Sequence, residues 1–148
     1  MKIRPRQTLV ALTVGTLLGV MAAAHAGALP EQKQADGIAY ITGGIGQSES
    51  QAMEAARKDW PLSLEFAVRA GKKSDFTADV KVAITQGGKP AFQANADGPF
   101  MLVKLAPGKY DIAATHRGIT QHRVVELKAG APARVLFLWP EATDAPAK

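Results

Sequence analysis

From Pro61 onward the chain is built on a period of two. Leu62, Leu64, Phe66 and Val68 alternate with Ser63, Glu65 and Ala67, and after a polar turn at 71–74 the series Val80, Val82, Ile84 repeats the pattern. Successive side chains of a strand point to opposite faces, so both stretches predict half-buried strands. Gln86-Gly87-Gly88-Lys89 reads as a tight turn, 91–94 as a short strand and 95–99 as a second turn, after which Met101, Val103 and Leu105 share one face. Ala106-Pro107-Gly108-Lys109 turns the chain into 110–114, Arg117-Gly118 returns it through 124–127, and Gly130 and Pro132 precede a last strand at 135–139. Strands joined by short turns, with no helix between them, predict a mainly β fold: an antiparallel sandwich of about seven strands over 62–139.

One helix is expected ahead of the strands. After Tyr40 and a glycine-rich turn, Gly43-Gly44-Ile45-Gly46, the stretch SESQAMEAARKDW places Ile45, Ala52, Met53, Ala56 and Trp60 on one side at helical spacing. Ser48 is the expected cap, with Gln51 three residues on and Glu49 in the first turn, where the helix dipole favours an anion. Pro61 stops the helix, so 40–61 reads as a turn-and-helix appendage to the sandwich.

The first 26 residues follow a different logic. Lys2, Arg4 and Arg6 form a basic start, residues 8–24 carry no charge, and Ala24-His25-Ala26 offers small residues at the two positions a signal peptidase inspects. This pattern predicts a cleaved export signal over 1–26, a mature start at Gly27, and no stable membrane anchor after cleavage. Residues 27–39 are expected to be a flexible leader and 140–148, rich in Ala and Pro, a disordered tail.

That division changes the meaning of the charge. The formal +5 includes the three basic residues of the export signal; without them 15 basic residues face 13 acidic ones, or +2, and the signs alternate. No basic face of the kind that neutralises nucleic-acid phosphates is expected. Cysteine is absent, which excludes disulfides, thiolate metal sites, a catalytic thiol and acylation on cysteine.

Several residues of the strand region resemble a known family. Asp79-Val80-Lys81-Val82-Ala83-Ile84, Asp97-Gly98, Phe100, Leu105-x-Pro107-Gly108-x-Tyr110-x-Ile112 and Gly118 are similar to a carboxypeptidase regulatory-like domain over 62–139. The resemblance implies a transthyretin (prealbumin)-like sandwich. In metallocarboxypeptidases such a domain sits behind a catalytic zinc domain, for which this chain has no room. The glycine-rich turn and helix lie outside the motif, and the whole resembles small proteobacterial envelope proteins of unassigned role. Hydroxyisourate hydrolases of transthyretin-like fold end in a tyrosine-containing signature; this chain ends in DAPAK.

Candidate chemistry is sparse. His116 and His122 are the histidines remaining after the export signal, and a hairpin turning at Arg117-Gly118 pairs His116 with Ile119 and Ala113 with His122. Strand parity then puts the imidazoles on opposite faces, against a shared metal, and both are expected at the solvent edge. Ser48, Ser50, Ser63 and Ser74 have no histidine in their sequence neighbourhood to act as base. The 43–46 glycines lack the Lys-Ser or Lys-Thr of a phosphate-binding loop. Trp60 belongs with the helix stripe, whereas Trp139 ends the last strand and can serve as an anchor. The expectation is an exported, non-enzymatic binding or accessory protein of the bacterial envelope, without cofactor, acting on another envelope protein through Gly43, Gly44, Ile45, Gly46, Glu49 and Trp139. The alternatives are a small-ligand or glycan binder that stacks its ligand on Trp139 or Tyr40, and a hydrolase of transthyretin-like fold.

Overall fold

A computed structural model describes residues 28–141; the expected export signal and most of the expected C-terminal tail lie outside the described residues. Ten strands and one α-helix follow in the order β1 (Lys33–Ala35), β2 (Ile38–Gly43), α1 (Gln47–Ala56), β3 (Leu62–Ala70), β4 (Lys73–Phe76), β5 (Val80–Gln86), β6 (Lys89–Ala96), β7 (Phe100–Val103), β8 (Gly108–His116), β9 (Ile119–Leu127) and β10 (Ala133–Trp139). They form two sheets, β1-β2-β7-β3-β10 with β4 also on β3, and β6-β5-β8-β9. Leu62, Leu64 and Phe66 of the larger sheet meet Val80, Val82, Ile84, Ile112 and Ala114 of the smaller one in a single buried core. The fold is a β-sandwich.

Its long edges are tied by side chains. Trp139 donates its indole N–H to the Ile119 carbonyl (2.9 Å) and Gln121 donates to the Leu138 carbonyl (2.8 Å), joining β10 to β9. Across the sandwich, Tyr40 meets Phe92 edge to face at 5.3 Å, and the Gln93 amide donates to the Asp36 carboxylate (3.0 Å).

Three features depart from the period-two reading. β10 runs parallel to β3, with Ala133 opposite Leu62 and Trp139 opposite Val68, so the larger sheet is mixed rather than antiparallel. Residues 33–35, expected in the leader, pair with β2, and β2 itself lies between β1 and β7 instead of in an appendage. β3 is buried on both faces: Ser63, Glu65 and Ala67, the expected solvent side, are covered.

Helix α1 accounts for part of that cover. Met53 and Ala56, followed by Trp60, pack on Ile41, Phe100 and Leu102 of the larger sheet's outer face, forming a second core. Ala52, Met53, Ala55 and Ala56 are strong helix formers. The chain leaves helical geometry at Trp60 (φ −119, ψ 136) because the proline that follows disfavours the α conformation in the residue before it. The N-cap is Gly46 without a side-chain cap, so Ser48 lies inside the helix and the expected capping box does not form. Ile45 precedes the helix and is 67% exposed, off the stripe that contains Met53 and Ala56. Among the described residues no helix is long and apolar enough to cross a membrane.

Candidate functional site

The 43–46 turn is held in place by its surroundings. Gly44, at φ +99, leaves no space for a Cβ, which would overlap the Phe100 ring, and a Cβ on Gly43 would collide with the Glu49 carboxylate and Pro30. The Gly44 amide donates to Glu49 Oε1 at 2.7 Å. Glu49 therefore closes its own turn, and Gly43 and Gly44 are required by close packing and by a positive φ that side chains rarely adopt. Of the residues expected to bind in this segment, Ile45 presents a side chain to solvent.

Phe100 links that turn to an apolar face. Strand register puts Phe100 and Leu136 on either side of Glu65, and Phe76 and Leu138 on either side of Ala67, all on the outer face of the larger sheet. Phe76 is tilted against Phe100 with ring centres 5.3 Å apart yet is 56% exposed, and Leu136 is 49% exposed. Helix α1 covers the β2–β7 half of this face; the β4–β10 half stays open. Between them Arg57 (3.0 Å) and Arg134 (2.8 Å) both donate to Glu65 Oε2, and the Arg57 guanidinium lies 4.8 Å from the Phe100 ring centre.

Trp139 lies elsewhere and is no exposed anchor. It is 1% exposed, packed on Phe66, Phe137 and His116. The hairpin register is the expected one, His116 opposite Ile119 and Ala113 opposite His122, which separates the imidazoles to opposite faces. His122 is solvent-exposed, 3.2 Å from Asp111, but His116 is 7% exposed rather than at the solvent edge. The inward face of β8 carries it beneath Trp139, with Nε2 3.3 Å from the Thr77 hydroxyl.

Burial, and then the neighbouring Arg117 charge, lower the His116 pKa below its usual 6.5. A depressed folded-state pKa means that the unfolded chain binds the proton first. Stability from this residue is present above pH 6.5 and is lost as pH falls from there through the folded-state value. We expect the unfolding midpoint to fall more between pH 7 and pH 5 than in His116→Gln, measured by urea titration at both pH values; equal falls would remove His116 as a source.

Two clefts cap the sandwich. One, of about 300 Å³, lies at the His116 end between the ends of β3, β8 and β10. The other, of about 350 Å³, lies at the opposite end beside Trp60, Leu105, Pro107 and Pro132. Ser50 and Ser63 donate their hydroxyls to the Gln47 and Ala133 carbonyls. Phe76, Leu136 and the His116 cleft were not among the expected site residues. Phe76 stands between Asp75 and Thr77, where alternation gives no sign, and Leu136 reads as one more apolar residue of a buried strand. No protein-family model matches the chain, and no curated protein matches it.

Proposed function

We propose that this is an exported, non-enzymatic accessory module of transthyretin-like, carboxypeptidase regulatory-like architecture, which docks another envelope protein on the outer face of its larger sheet. One observation carries the docking reading. Part of that face is covered by α1, and Phe76 and Leu136 on the remainder are left in water, as is Ile45 in the turn that leads into the helix. A sheet face is stable when its apolar side is covered, and exposed apolar residues grouped on one face mark contact with another molecule. Arg134, 61% exposed at the side chain, borders the face and favours a partner with acidic groups around an apolar centre. Export rests on the basic, apolar and small-residue succession of 1–26, and the family reading on the glycine, proline and tyrosine motif of 79–118.

The test is site-specific photo-crosslinking in living cells, from probes at Ile45 and at Leu136, with a probe at Gly88 in the β5–β6 turn as reference. We expect one discrete protein adduct from both face positions, none from Gly88, and its loss on Phe76→Glu. No adduct from either face position, or the same adducts from Gly88, would overturn the docking reading.

A further inference from the structure

A second site lies at the His116 end of the sandwich, apart from the docking face. The cleft there is lined by Val68, Ala70, Ile119 and Trp139, with the Thr77 hydroxyl and the His116 ring among them. Its volume, about 300 Å³, falls at the lower end of the range for small-molecule pockets, roughly 300–1,000 Å³. Such a space suits a body the size of one aromatic ring with a short substituent.

The charges at its mouth select the substituent. Arg69 from β3 and Arg117 from the β8–β9 turn both line the cleft. Among the described residues neither forms an ion pair. The third charged group is Glu141, whose carboxylate accepts from the Gly71 amide at 3.5 Å and so is drawn toward the β3–β4 turn. Two guanidinium groups against one carboxylate leave the lining itself net positive, while Asp79, outside the lining, acts on the His116 ring from beside it. A guanidinium matches the two oxygens of a carboxylate in a planar, bidentate pair. Burial keeps the His116 ring neutral near pH 7, so it adds a polar surface and no third charge.

We propose that this cleft binds a small organic monoanion, a carboxylate on a planar or short aliphatic body, with the carboxylate at Arg117 and Arg69 and the body against Ile119 and Val68, above the buried Trp139. The apolar lining disfavours inorganic phosphate, which has nothing to put there. A glycan needs an exposed aromatic plane, and Trp139 at 1% exposure offers none.

The experiment is NMR titration of the purified protein with benzoate and hexanoate, and with benzyl alcohol and benzylamine for comparison. Both carboxylates are expected to shift the Trp139 indole N–H and His116 ring signals saturably, and benzylamine to leave them unmoved. Arg117 has φ 48, a conformation asparagine tolerates, so Arg117→Asn removes the charge without straining the turn. It should weaken benzoate by roughly tenfold or more, as loss of a charge-assisted pair does. Arg69→Gln, on an exposed position, is the second variant and decides the matter if Arg117→Asn fails to fold. The proposal is overturned if no carboxylate gives saturable shifts, if benzyl alcohol binds as tightly as benzoate, or if the folded variants keep the parent affinity.

Discussion

Trp139→Ala is expected to cost about 3–5 kcal/mol of folding stability, the range for emptying a buried aromatic position. Trp139 is fully enclosed, stacked on Phe137 at 6.0 Å and tilted against Phe66 at 6.3 Å, while its indole N–H holds the Ile119 carbonyl of the opposite sheet. Truncation removes the largest side chain of the core and the hydrogen bond that ties β10 to β9. A loss of this size is a large part of the total stability of a small domain, which runs to roughly 5–15 kcal/mol. Trp139→Phe keeps most of the aromatic volume and should cost less, about 1–2 kcal/mol, chiefly from the lost hydrogen bond. Urea denaturation of the three proteins checks both numbers. If the alanine variant lost less than about 1 kcal/mol, Trp139 would not be filling the core.

From the sequence Trp139 reads as a candidate anchor. It is the last residue before Pro140, and one-dimensional periodicity cannot tell a strand end that runs into solvent from one that turns beneath a neighbouring sheet. Where local chemistry decides, the sequence is sufficient. Arg117-Gly118 specifies a two-residue hairpin, and its register, with His116 opposite Ile119, follows from that turn alone. Val80, Val82 and Ile84 alternate because one face of β5 meets the core and the other meets water.

Periodicity fails where burial depends on distant partners. Ser63, Glu65 and Ala67 are polar or small enough to read as a solvent face, yet they are buried, Glu65 and Ala67 between larger side chains of the strands on either side. Glu65 is acceptable there because its charge is met by Arg57, eight residues away, and by Arg134, 69 residues away. The parallel pairing of β10 with β3 is similarly non-local: an apolar run carries no mark of strand direction. At the candidate docking face, Ile45 was legible as a residue of interest, but the glycines beside it owe their place to Phe100 and Pro30. Phe76 and Leu136 gain their meaning only when three strands bring them to one face.

Glu65→Ala is expected to cost about 3–5 kcal/mol, because removing one partner of a buried ion pair leaves the other charge uncompensated. Glu65 and Arg57 are 12% and 14% exposed at the side chain, and one carboxylate oxygen, Oε2, accepts from both Arg57 and Arg134. Without it the Arg57 guanidinium stays under the helix, against Phe100, with no anion to meet it. Arg134→Ala, by contrast, removes a 61%-exposed partner and should cost no more than about 1 kcal/mol. Replacing Glu65 and Arg57 together by methionine removes both charges at once and should recover most of the loss. Urea midpoints of the parent and these three variants measure the asymmetry; equal losses for Glu65→Ala and Arg134→Ala would mean that Arg57 finds water when Glu65 is gone. Arg57, at the end of α1, joins the helix to β3 beside Phe100, so the same pair holds the helix end to the outer face. Loosening it is expected to weaken partner crosslinking from Ile45 even at temperatures where the sandwich remains folded.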